Sequence, residues 1–226
     1  MNKFKKIWHF LWHEDSLTSW IVSILLAFLI VKFIVYPLIG IFLGTGFPIV
    51  AVVSESMEHR AAPLCVDYEN GKCINQSETA FKICGKTVDN GGFFTYNMYW
   101  ETCGEWYKDN NISRKNFSEF SFKNGFNKGD IMVLVGTESK DINIGDVVVF
   151  DGDLNYPIIH RVVNKWVESD SYFLSTKGDN NEGTSDNELE INEDELIGKE
   201  VFRLPLLGWV KIMFNSLIEN LLGVFK

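Results

Sequence analysis

Hydrophobic and polar positions divide the chain into three blocks. From Trp20 to Leu43 the residues are apolar apart from Lys32 and a few small or hydroxyl residues. Such a run suits a membrane-crossing helix, which needs about 20 apolar residues. Pro37 is expected to end the regular helix, leaving Lys32 close enough to the outer end for its ammonium to snorkel. After the turn signals Gly44-Thr45-Gly46, the run Phe47 to Val53 reads as a buried strand that stops at Ser54-Glu55-Ser56-Met57. Residues 60–127 are polar and rich in Asn and Gly. Beyond them, short apolar runs predict strands at Ile131–Val135, Asp146–Phe150, Tyr156–Val163, Tyr172–Thr176 and Leu196–Leu204. Gly129-Asp130 and Gly145-Asp146 precede the first two as turn-then-strand signatures. Period two puts Ile158, His160 and Val162 on one face of the third strand, and Ile159, Arg161 and Val163 on the other. The acidic stretch Asp186 to Glu195, with Asp186 and Glu188 as carboxylates of interest, reads as a solvated loop. Residues 212–226 are apolar but interrupted by Asn215, Glu219 and Asn220, which predicts an interfacial helix rather than a second span.

Charge and cysteine usage add direction. The 226-residue chain has a net charge of −9 and a pI near 5.0, which speaks against nucleic acid as a partner. Lys3, Lys5 and Lys6 precede the apolar run, and no Lys or Arg follows it until Arg60. The positive-inside rule then predicts a cytoplasmic N-terminus and a single-pass anchor, with the remainder outside. The run is longer than a signal-peptide core and has no Ala-x-Ala site after it, so the anchor is expected to stay. All four cysteines, Cys65, Cys73, Cys84 and Cys103, lie in residues 61–126. They include no Cys-x-x-Cys pair, and outside the membrane they predict two disulfides with three open connectivities. The same segment has Asn-x-Ser sequons at Asn75, Asn111 and Asn116, and enough aromatics to predict a small folded subdomain.

A Ser after a strand, a His within a strand and carboxylates in a later loop are the parts of a nucleophilic site, although each has a plainer reading as turn former, core histidine or solvated charge. The local motifs are more specific. Ser54-Glu55-Ser56-Met57-Glu58 resembles the Ser-x-Ser-Met-Glu box of type I signal peptidases. Gly145 to Phe150 and Ile158 to Val162 resemble that family's next two boxes, Thr176-Lys177-Gly178-Asp179-Asn180-Asn181 its last, and Pro205 to Val210 its closing Pro-x-x-Gly-x-Val. His160 stands where the archaeal and endoplasmic-reticulum branch has histidine in place of a lysine base. The chain departs from the pattern in having His59-Arg60 where the family has proline, and in carrying the insertion at 61–126.

The resemblance implies a mainly β protein: a coiled antiparallel β-sheet catalytic domain (44–60 and 127–211) behind a cytoplasmic N-terminus (1–15) and a transmembrane anchor (16–43), closed by a short C-terminal helix (212–226). It implies a membrane-anchored serine endopeptidase of the cell membrane that removes signal peptides at small residues. Ser56 is the implied nucleophile and His160 the general base, with Asp179 and Asp186 as the family's aspartates; Asp186 is expected to orient His160 and Asp179 to support its loop. The Ser56 N–H and the Ser54 hydroxyl are the candidate oxyanion donors. An extended substrate is expected to pair along Pro48, Val50 and Val52. Implied partners are preprotein signal peptides, the lipid bilayer and secretion-translocon components, with no cofactor and no metal. The alternative is a catalytically inactive surface-binding domain on the same scaffold.

Overall fold

The computed structural model describes residues 8–10, 12–152, 156–214 and 216. The chain separates into two compact units, Met1–Pro48 and Ile49–Lys226. In the first, α1 (Leu17–Ile30), a π-helical turn (Val31–Val35) and α2 (Tyr36–Leu43) run on as one helix of 27 residues. At about 1.5 Å per residue this reaches about 40 Å, more than the roughly 30 Å of bilayer hydrocarbon. Ser16 caps its start by accepting from the Ser19 N–H, and Gly44, at φ 68, ends it in the left-handed region. Pro37 does not stop the helix as expected. Proline lacks an N–H and its ring crowds the carbonyl four residues back. The wide turn just before it, in which the Tyr36 N–H reaches Val31 O, absorbs both defects. The charges at Lys3, Lys5 and Lys6 lie outside the described residues.

The second unit holds two antiparallel sheets. The larger has seven strands in the order β1-β6-β11-β7-β8-β9-β10. These are β1 (Ile49–Ala51), β6 (Ile131–Val135), β7 (Val147–Phe150), β8 (Ile158–Glu168), β9 (Ser171–Lys177), β10 (Ile191–Asn192) and β11 (Leu196–Leu204). Register shifts in the β11 and β8 pairings mark where the sheet curls. It is covered on both faces, which explains the uninterrupted Val-Val-Val-Phe of β7. Val147 and Val149 pack with Val52, Met57, Met132 and Leu134, while Val148 and Phe150 pack with Val162, Leu174 and Ile191. The run expected as a buried strand at 47–53 is instead a three-residue edge strand paired, among the described residues, with β6 alone. Val52 is buried, whereas Ile49 and Val53 are exposed.

The two Gly-Asp signatures are one device used twice. Asp130 Oδ2 accepts from the Asn127 N–H (2.7 Å) and Asp146 Oδ2 from the Asn143 N–H (2.8 Å), and each aspartate N–H returns a bond to the same asparagine's carbonyl. The glycine between them takes φ 88 at Gly129 and φ 98 at Gly145.

The insertion forms the second sheet, β4-β3-β2-β5, from β2 (Arg60–Glu69), β3 (Lys72–Ile83), β4 (Lys86–Val88) and β5 (Gly92–Phe93). The helices α3 (Tyr96–Asp109) and α4 (Arg114–Glu119) follow it. The disulfides are Cys65–Cys73, across the β2–β3 hairpin, and Cys84–Cys103, from the end of β3 to α3. Tyr99, Trp100, Tyr107 and Phe117 build its aromatic core, into which Val163 of β8 also packs. The insertion thus shares a core with the larger sheet rather than folding away from it. Near the C-terminus, residues 209–214 are helical, and 217–226 lie outside the described residues.

Candidate active site

Ser56 lies in the turn after β1, partly exposed, with its Oγ 3.0 Å from the Ser54 Oγ. The next residue fixes this turn from below. Met57 is 1% exposed, packs into the core beneath the sheet, and its Sδ accepts from the Asp179 N–H at 3.3 Å. Glu58 accepts from the Lys128 N–H through Oε1 (2.8 Å); burial raises its pKa and this bond opposes the shift. Of the expected substrate strand, Val50 lies in β1, Val52 turns into the core, and Pro48 is buried one residue ahead of the strand.

His160 stands on β8 opposite Val148 of β7. Its Nδ1–H donates to Glu188 Oε2 at 2.5 Å, and the Thr176 Oγ1–H donates to the same oxygen at 2.9 Å. An ionised carboxylate only accepts, so this contact fixes the tautomer and leaves Nε2 with a free lone pair. Burial by itself would raise the Glu188 pKa; the bond from His160 and, when the ring is protonated, its charge, with the bonds from Thr176 and Ser185, outweigh it and keep the carboxyl below its usual range. The carboxylate on His160 is therefore Glu188. Asp186, expected in that role, starts the same short turn (Asp186–Glu188) but is exposed. The turn rolls the side chain two residues later inward, which residue type alone does not reveal.

Gly178 is buried against His160: a Cβ there would fall 2.7 Å from Nε2. Two residues on, the Asn180 N–H donates to Ser56 O at 2.7 Å. Loop 178–181 therefore touches both the serine turn and the imidazole.

Asp179 faces away from His160 into a buried network. Arg161 grips it with two bonds, Nε to Oδ1 (2.8 Å) and Nη2 to Oδ2 (2.7 Å), and spends its other donors on the carbonyls of Ser121, Phe122 and Gly145. The Tyr107 hydroxyl donates to Oδ1 (3.0 Å) and His59 Nε2–H to Oδ2 (2.9 Å). Burial would raise the Asp179 pKa, but Arg161 and His59 hold it well below the carboxylate range. His59 stacks flat on Tyr99 with centroids 3.5 Å apart, and burial pushes its pKa down. Lys177 is buried beside the loop; its Nζ donates to Gly178 O and Asp179 O, and burial lowers its pKa to about 8. Sequence reasoning missed Glu188 on His160 and the links from Arg161, His59 and Asn180. The only sequence signals for them were the histidine at the proline position and a second carboxylate near Asp186.

A strand-end serine, a histidine whose Nδ1 is bonded to a buried carboxylate, and a glycine-containing loop touching both thus lie on one antiparallel sheet. The chain is similar to curated proteins named signal peptidase complex catalytic subunit SEC11. It is 34% identical to that of Colletotrichum graminicola over 104 residues, covering 42% of this chain and 60% of the relative. To that of Fusarium vanettenii it is 34% identical over 104 residues, with the same coverage. To that of Scheffersomyces stipitis it is 34% identical over 103 residues, covering 42% of this chain and 61% of the relative. The chain thus spans about three-fifths of the length of the curated relatives it matches. No protein-family model matches it.

Proposed function

We propose that the protein is a membrane-anchored serine endopeptidase that removes signal peptides from preproteins. The observation that carries this reading is the Glu188–His160 pair held against the Gly178 loop, which is itself bonded to the Ser56 turn. In the proposed mechanism Ser56 Oγ attacks the scissile carbonyl while His160 Nε2 takes its proton and later returns it to the leaving amine. Glu188 keeps the imidazole in the required tautomer and stabilises its cation. In this reading the Ser56 N–H and the Ser54 hydroxyl serve as the oxyanion donors, each worth about 3 kcal/mol of transition-state stabilisation in comparable sites. Asp179 supports the loop and does not touch the imidazole in this reading. The open edge of β1 offers backbone groups for an extended substrate, and the apolar helix ties the chain to a bilayer.

The test is cleavage, by the full chain, of a preprotein with a Leu-rich apolar core followed by Ala-x-Ala. Ser56→Ala and His160→Ala should each abolish cleavage, and the double variant should be no worse than either, because residues acting as one unit are not additive. Wild-type turnover by His160→Ala would refute the mechanism.

A further inference from the structure

Asn180 connects three segments. Its N–H donates to Ser56 O (2.7 Å), its Nδ2 donates to Glu55 O (3.2 Å), and its Oδ1 accepts from the Cys84 N–H (2.9 Å). Cys84 belongs to the insertion, where it sits at φ 43, an uncommon conformation for a residue with a side chain, and is bonded to Cys103 of α3. The same helix sends the Tyr99 hydroxyl to Asp179 O (2.7 Å) and the Tyr107 hydroxyl to Asp179 Oδ1 (3.0 Å). Next to Cys84, Gly85 at φ 78 leaves room for Glu182: a Cβ there would lie 2.7 Å from its side chain. Asp179, Asn180 and Glu182 are thus in contact with the insertion, while the loop also holds the serine turn and the imidazole.

We propose that the Cys84–Cys103 corner of the insertion is a brace for the catalytic loop, and that Asn180 is the positioning residue that passes its constraint to the Ser56 turn. The proposal rests on the Ser56–His160 reading above. A polar loop with few apolar contacts opens readily, and a displacement of about 1 Å at a nucleophile can cost on the order of a hundredfold in rate. The insertion removes that freedom by bonding the loop from its outer side. Asn180 does not touch substrate in this arrangement; it acts by fixing the carbonyls of Glu55 and Ser56, and with them the direction of the Ser56 side chain.

The test compares the full-length chain in detergent with Asn180→Ala, with Cys84→Ser/Cys103→Ser, with both combined, and with the hairpin-tip control Cys65→Ser/Cys73→Ser. Amide exchange is read at residues 54–58 and 178–182, and cleavage of the Ala-x-Ala preprotein is resolved into kcat and KM. The expected result is exchange at position 180 faster by about tenfold or more in Asn180→Ala and in the Cys84/Cys103 variant, but not in the control. With it, kcat should fall by about 10- to 100-fold at constant KM, and the combined variant should be no slower than the slower of its parents. Should the Cys84/Cys103 variant fail to fold, Tyr99→Phe, which keeps the ring and removes the hydroxyl's bonds to Asp179 O and to the Tyr107 hydroxyl, should show the same pattern more weakly. Unchanged exchange in Asn180→Ala, an equal effect in the control, or additive losses in the combined variant would overturn the brace. Ser56→Ala separates the two levels: if it still cleaves, the catalytic reading fails and the exchange data alone decide on the brace. If it is dead while Asn180→Ala turns over at the wild-type rate, the brace fails and the catalytic reading stands.

Discussion

His160 is defined by what sits on each of its nitrogens: a carboxylate on Nδ1 and the buried Gly178, with no side chain to crowd it, on the Nε2 side. Replacing Glu188 with Gln keeps the shape but removes the charge and the fixed tautomer. We expect kcat to fall by on the order of 10²–10⁴, whereas Asp186→Asn should turn over like wild type; preprotein-cleavage kinetics on the pair decide between the two carboxylates. Another buried acid makes a prediction about pH. Glu200 on β11 is 2% exposed, neither of its carboxyl oxygens has a hydrogen-bond partner among the described residues, and burial raises its pKa from 4.5 to about 8, against the pull of Arg161 and Arg203. The folded state therefore holds a proton that the unfolded state has released. Stability is greatest below pH 4.5 on this account, and falls as pH rises towards 8. Urea titrations should show that slope reduced in Glu200→Gln, with the variant the more stable of the two at pH 8 and above by a few kcal/mol at most (about 1.4 per pKa unit). At this scale the sequence was readable in its placing of Ser56 after a strand and His160 within one. It was not readable where a roll of the backbone chose between near neighbours, as between Asp186 and Glu188.

Elements were legible where their pattern was local. The runs at Ile131–Val135 and Leu196–Leu204 match β6 and β11, because short apolar runs between turn signals have little else to become. The strand expected at 47–53 shrank because only one side of it finds a partner, a fact about sheet order that no window of sequence contains. The cysteine pairing was open for the same reason. The Gly-Asp turns were seen as punctuation, and the structure adds their energetics. Asp130 also accepts from the Leu206 N–H (3.1 Å) and pairs with Arg203 (2.7 Å), while Asp146 pairs with Lys199 (2.7 Å) nearer the surface. Asp130→Ala, which leaves buried donors unpaired, should cost about 2–4 kcal/mol, and Asp146→Ala about 1–2 kcal/mol, in chemical denaturation.

For the whole molecule the testable statement is topological. We predict a cytoplasmic N-terminus: protease added to intact cells should reach the cysteine-bearing segment and spare residues 1–15, and labelling of Lys3 from outside alone would contradict it. The order of the chain has a further consequence, for how the protein is made. The two disulfides close over sequence separations of 8 and 19 residues, and the strands and helices of the insertion find most of their partners between positions 60 and 120. Synthesis delivers this segment before His160, before loop 178–181 and before β11, the strand that joins β6 to β7. Local contacts form early and distant strand pairings late. The insertion is then a template already standing when the last third of the chain emerges, and the segments that complete the larger sheet fold onto a surface rather than search for one another.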